Sequence, residues 1–147
     1  MIKKVACSIL LLSSMNVWAE VTGEKAWSRI TAPSVPTGAV FLELKNSGPY
    51  NDSLIGVNTP VAKTVEIHNH INDKGIMRMR EVRKIDIPAG RSVILEPGGY
   101  HLMLINLKSP LKLNQTFPIN LLYQSGKSET VNVTVDNGAN FKGHHNH

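Results

Sequence analysis

Three pairs of metal-binding side chains recur at a single spacing in this chain: His68-x-His70, Met77-x-Met79 and His101-x-Met103. Alternation along a β-strand would put both members of each pair on one face. The last pair sits in the run GGYHLML, residues 98–104, where Leu102 and Leu104 would face the other way. Taken alone, that run reads as a half-buried strand in which Met103 fills a gap in the core and His101 finds a backbone partner. Its neighbours change the reading. Beyond the N-terminal leader, methionine occurs only at 77, 79 and 103, and histidine ahead of the C-terminal end only at 68, 70 and 101. Core filling would scatter methionine over many strands. Thioether sulfur is soft and neutral and imidazole is borderline. With no thiolate and no obvious carboxylate cluster beside them, the set suits Cu(I) better than zinc, calcium or magnesium.

The segments that must position these residues read as short strands divided by turns, with no helical period of ten or more residues. Nine strands are expected: 25–30, 39–45, 53–57, 64–69, 76–82, 92–95, 101–105, 116–123 and 129–135. Asn46-Ser47-Gly48-Pro49, Asn72-Asp73-Lys74-Gly75, Pro88-Ala89-Gly90, Pro97-Gly98-Gly99 and Ser125-Gly126 supply the turn chemistry. Val131, Val133 and Val135 alternate with Asn132 and Thr134, as in a strand with one face in the core and one in water. An antiparallel, all-β sandwich follows. The turns at 72–75 and 97–99 must bring the donor-bearing segments together near one edge of it.

The N-terminus bounds where this chemistry happens. MIKK, the apolar run VACSILLLSSMNV and Val17-Trp18-Ala19 have the charged, apolar and small-residue regions of a secretory signal, with cleavage expected after Ala19. The apolar run is short of the roughly 20 residues that span a bilayer. Cys7, the only cysteine, follows directly on the basic residues, where a lipidated cysteine would follow the apolar run, so the exported chain is expected to carry no thiol. Disulfides, a cysteine nucleophile and the His2Cys set of blue copper are thereby excluded from it. No G-x-S-x-G elbow offers a serine nucleophile either. Removing Lys3 and Lys4 with the signal takes the formal net charge from +5 to +3. The basic residues are scattered rather than interleaved with aromatics, which argues against nucleic acid as a partner. The expected organisation is a signal peptide at 1–19, one β-sandwich domain at 20–136 and a polar tail at 137–147 ending in His144, His145 and His147, which would collect metal loosely.

The donors also fall into a longer pattern. Ten residues separate His68 from Met79, twenty-one separate Met79 from His101, and Met103 follows one residue later. This H-x10-M-x21-H-x-M spacing resembles the signature of the periplasmic PCuAC-type copper chaperones. VEIH at 65–68, GIMRMREV at 75–82, IPAG at 87–90, LEPGGYHLML at 95–104 and LKSPLK at 107–112 resemble that family's segments in order, and AWSR and ELKNSG extend the likeness over most of the exported chain. The resemblance implies a cupredoxin-like Greek-key sandwich that holds one Cu(I) through His68, Met79, His101 and Met103. It further implies delivery toward cytochrome c oxidase, to its copper-site subunit or to a Sco-type thiol copper protein. It leaves His70 and Met77 as neighbours or alternative ligands. Some family members bind Cu(II) on a His/Met-rich extension; the tail here has histidine without methionine. Backbone carbonyls, or a carboxylate such as Glu66 or Glu81, would orient the histidine rings from behind, and the sequence does not say which.

Three other readings compete. Copper storage or detoxification would use the same ligands. A catalytic zinc or Cu(II) site on His68, His70 and His101 would leave the methionines unexplained and offers no clear general base, so the chain is expected not to be an enzyme. A non-metal interaction module would make Met79 and Met103 matter only for stability.

Overall fold

The computed structural model describes residues 20–138. The signal peptide with its cut after Ala19, and the tail histidines His144, His145 and His147 with any Cu(II) they would hold, lie outside the described residues. Period-2 alternation is realised as ten strands: β1 (Val21–Arg29), β2 (Thr37–Asn46), β3 (Asp52–Asn58), β4 (Ala62–Asp73), β5 (Ile76–Glu81), β6 (Ile85–Ile87), β7 (Ser92–Leu95), β8 (His101–Leu107), β9 (Thr116–Tyr123) and β10 (Ser128–Asp136). They join in the order β5-β4-β8-β2-β1-β10-β9-β3-β6, with β7 pairing onto β2. The protein is a single all-β domain, and none of the described residues forms a helix able to cross a membrane.

Two features depart from the sequence expectation. Strand β6 was not among the nine expected strands; it is only three residues long, yet it alternates buried Ile85 and Ile87 about exposed Asp86 and pairs with β3. The sheet is mixed rather than wholly antiparallel, because β1 and β10 run parallel, with Trp27 opposite Thr134 and Arg29 opposite Asp136. Parallel neighbours need a long crossover. Here nearly the whole chain supplies it, since these are the first and last strands.

Inward residues from all parts of the sheet form one core. Leu102 and Leu104 of β8, Ile67 of β4, Val40, Leu42 and Leu44 of β2, Leu54 of β3, Ile119 and Leu121 of β9, and Val133 and Val135 of β10 are buried together. Burying one such side chain contributes about 1.5–3 kcal/mol. This anchoring fixes which residues face outward: with Leu102 and Leu104 inside, His101 and Met103 must lie on the opposite face.

A bulge at Lys25, whose φ is +53°, adds one residue to β1 between Glu24 and Trp27. The bulge shifts the alternation by one position, so Ala26 and Ser28 turn inward and Trp27 and Arg29 join the face that carries His101. The β4–β5 hairpin is tighter than expected. Lys74 and Gly75 both have positive φ, +53° and +86°, the signature of a two-residue type I′ turn. Asn72 Oδ1 accepts the Gly75 N–H at 2.8 Å, so Asn72 and Asp73 belong to the strand and pair with Met77 and Ile76. Every residue of β5 is exposed, and among the described residues nothing pairs beyond it.

Candidate metal centre

Register alone brings the donors together. His68 of β4 lies opposite His101 of β8 on one side and Glu81 of β5 on the other. Two residues along, His70 faces Met79, and in the other direction Glu66 faces Met103. The outer face of three adjacent strands therefore carries all six residues of the three pairs.

Side-chain geometry then sorts them. His101 is 3% exposed although it lies on the outer face. It is covered by His70, His68 and Phe41, with ring centroids at 5.3, 5.6 and 6.3 Å. Its Nδ1 lies 3.1 Å from the Gly99 carbonyl and its Nε2 lies 3.0 Å from Met79 Sδ. Carbonyl oxygen can only accept, so the ring's N–H is on Nδ1 and donates to Gly99. Burial lowers the pKa of this histidine, and repulsion from His70 and His68 adds to the effect, against a partial opposing pull from the Gly99 bond. A neutral ring has one N–H. Nε2 and the Met79 sulfur are consequently two electron-pair donors converging with no hydrogen between them, an arrangement that an electron-pair acceptor completes.

The His68 ring lies beside them, its centroid 5.6 Å from that of His101. His68 Nε2 lies 2.7 Å from Glu66 Oε2, and carboxylate also only accepts, so Nε2–H donates to Glu66. The other nitrogen, His68 Nδ1, is the one buried side-chain nitrogen or oxygen among the described residues that has no hydrogen-bond partner. Such an atom costs about 1–3 kcal/mol if it meets nothing. Of the two carboxylates considered from sequence for orienting a ring, Glu66 makes the contact.

Met103 shares this face but flanks the cluster. Its side chain lines an open cavity of about 360 Å³, bounded by Arg29, Val35, Thr37 and Phe41. His70 sits inside the cluster, its Nδ1 3.2 Å from the same Gly99 carbonyl. Met77 is 59% and Met79 49% exposed. No three His, Cys, Asp or Glu side chains among the described residues converge on a metal position, so the soft donors are what distinguishes this centre. Two parts of the site carry no signal in the residue pattern. One is the Gly99 carbonyl as a double acceptor. The other is the aromatic wall behind His101, where Trp27 stacks on Phe41 at 4.7 Å and the Arg29 guanidinium lies 5.9 Å from the Trp27 ring.

A larger cavity, about 570 Å³, lies away from these residues, between β3, β6 and the β9–β10 turn. Its polar groups satisfy one another: Asp52 accepts from Ser125 Oγ at 2.6 Å and from the Ser125 N–H, and Asp86 accepts from Ser53 Oγ and pairs with Lys84. It presents no converging donors.

The all-β fold of this chain is shared by solved PCuAC domains. The copper-bound PCuAC domain from PmoF2 superimposes with a TM-score of 0.67 at 20% identity, over 79% of this chain and 92% of that one. The solution structure of CuI-DR1885 from Deinococcus radiodurans matches with a TM-score of 0.65 at 30% identity, over 78% of this chain and 76% of that one. In sequence, "Putative lipoprotein Lxx21020" of Leifsonia xyli subsp. xyli is 32% identical over 119 residues, 79% of this chain and 70% of the relative. The chain belongs to the LpqE-like family, whose pattern matches residues 21–135.

Proposed function

We propose that this protein is an exported copper chaperone that binds one Cu(I) through His68, Met79, His101 and Met103 and passes it to a thiol-ligated acceptor in the assembly of respiratory oxidase copper centres. The observation that carries the reading is the contact of His101 Nε2 with Met79 Sδ at 3.0 Å, beside a neighbouring His68 ring whose buried Nδ1 has no partner. Two neutral imidazoles and thioether sulfur favour Cu(I) over harder ions. The relative from Deinococcus radiodurans, in its CuI form, supports the choice of metal, and the lipoprotein designation of the family supports export to the cell envelope, with the periplasm as the compartment. His68 would ligate through Nδ1 and His101 through Nε2, each ring fixed by the hydrogen bond its other nitrogen makes. The work is binding and release rather than catalysis. Thioether ligands hold copper without the oxidation that threatens a thiolate outside the cytoplasm, and an acceptor with thiolates draws the metal away downhill.

Competition titrations with Cu(I) and Zn(II) test this on the exported chain, on Met79→Ala/Met103→Ala and on a chain ending at Asn137. The expected result is one-to-one Cu(I) binding that is lost with the methionines and kept without the tail. Equal zinc and copper binding indifferent to both methionines would overturn it. Loss of oxidase activity in a deletion strain under copper limitation separates delivery from storage.

A further inference from the structure

Two residues of the three pairs, His70 and Met77, are left over by the four-ligand reading, and their placement is hard to reconcile with packing. Met77 is 59% exposed on a strand with no buried residue, so it adds little to the core and exposes apolar surface. It lies on the face that carries Met79, opposite Asn72, and is therefore a diagonal neighbour of His70, whose direct partner is Met79. The ring of His70 is closer to His101, at 5.3 Å between centroids, than His68 is, at 5.6 Å. The Gly99 carbonyl accepts from Nδ1 of both His70 and His101, which leaves Nε2 as the lone-pair nitrogen of each.

We propose that His70 and Met77, sharing Met79 with the inner centre, form an outer Cu(I) site through which copper enters and leaves. This rests on the copper reading above. Donors then run in order of exposure from buried His101 through half-buried His70 and then Met79 to Met77 at the protein's edge. Cu(I) moves along them by ligand exchange. As the His70 Nε2–Cu and Met77 Sδ–Cu bonds form, the bonds to His68, His101 and Met103 break, while Met79 holds the metal throughout. Copper stays Cu(I), every ligand stays neutral, and no proton or electron is exchanged. An acceptor's thiolate then displaces His70 and the sulfurs at the surface.

A site on the path, occupied only in transit, changes the rates in both directions by one factor and leaves the equilibrium constant nearly alone. The test uses the full exported chain loaded with Cu(I), as wild type, His70→Gln/Met77→Leu and the single variant Met77→Leu. The glutamine amide keeps a donor for the Gly99 carbonyl, and leucine keeps the volume of the methionine it replaces. Equilibrium affinity is read by competition with bicinchoninate, and the rate of copper loss by stopped-flow mixing with excess dithiothreitol. The double variant is expected to lose copper about tenfold more slowly at an affinity close to wild type, with Met77→Leu intermediate. A rate equal to wild type overturns the proposal. So does an affinity loss matching that of Met79→Ala, which would make the pair ligands of the inner centre. If circular dichroism shows the double variant misfolded, Met77→Leu alone decides, since its site is exposed. Failure of wild type to bind Cu(I), or binding indifferent to Met79→Ala/Met103→Ala, would instead remove the copper reading itself.

Discussion

At the scale of single residues the centre depends on which nitrogen of each ring is left free. Glu66 makes that choice for His68, and Glu66→Ala is expected to weaken Cu(I) binding by about tenfold or more, while Glu66→Gln, which keeps an acceptor oxygen, recovers most of it; bicinchoninate competition measures both. The sequence offered Glu66 and Glu81 alongside backbone carbonyls and could not choose among them; Glu66 is picked out only by its contact with His68 in the structure. The Gly99 carbonyl was not legible, because a backbone acceptor leaves no trace in residue type. His101 also sets a pH dependence. Its folded pKa lies below the ordinary 6.5, so the unfolded chain takes up the proton first as the medium acidifies. The stability from keeping this ring neutral is therefore complete above that value and is lost as pH falls through it toward the lower folded value. The urea midpoint of copper-free protein is expected to drop between about pH 7.5 and about pH 5.5, and less so in His101→Gln.

At the scale of elements, the strands were legible where alternation was long enough to count, and β7 and β9 begin and end where the residue pattern put them. Strand β4 was placed too short, at 64–69, because Asn72-Asp73-Lys74-Gly75 reads as a four-residue turn; the type I′ geometry confines the reversal to Lys74-Gly75 and gives the other two to the ladder. That extension is what pairs His70 with Met79. The Lys25 bulge was invisible for a different reason: nothing about a lysine announces a left-handed backbone, yet it decides which face receives Trp27. The turn that carries the shared carbonyl needs Gly98 at φ +88°. Gly98→Ala is expected to cost about 1–2 kcal/mol, read as a lower urea midpoint, and to weaken copper binding because Gly99 shifts with it.

At the scale of the whole molecule, the first and last strands hold the sheet together. β10 bridges β1 and β9, so its loss would part β5-β4-β8-β2-β1 from β9-β3-β6. A chain ending at Asn132, without Val133 and Val135, is expected to unfold, whereas one ending at Gly138 keeps both fold and copper affinity; circular dichroism and limited proteolysis distinguish them. The parallel pairing behind this could not be read from the sequence, since alternation identifies strands but not their neighbours, and contacts between chain ends are the farthest apart of all.

The exposed edge strand β5 gives the metal one further effect. Met79 is the member of the proposed four-ligand set on the strand with the least to hold it in place, while His68, His101 and Met103 belong to strands anchored in the core. Copper would act as a clasp, fastening a loosely held hairpin to a firm sheet. In copper-free protein the amides of residues 74–81 should exchange with solvent through local opening far easier than global unfolding, and loading with Cu(I) should slow them selectively. The occupancy of the proposed site would then be written in the stiffness of one edge, where it could be sensed by touch.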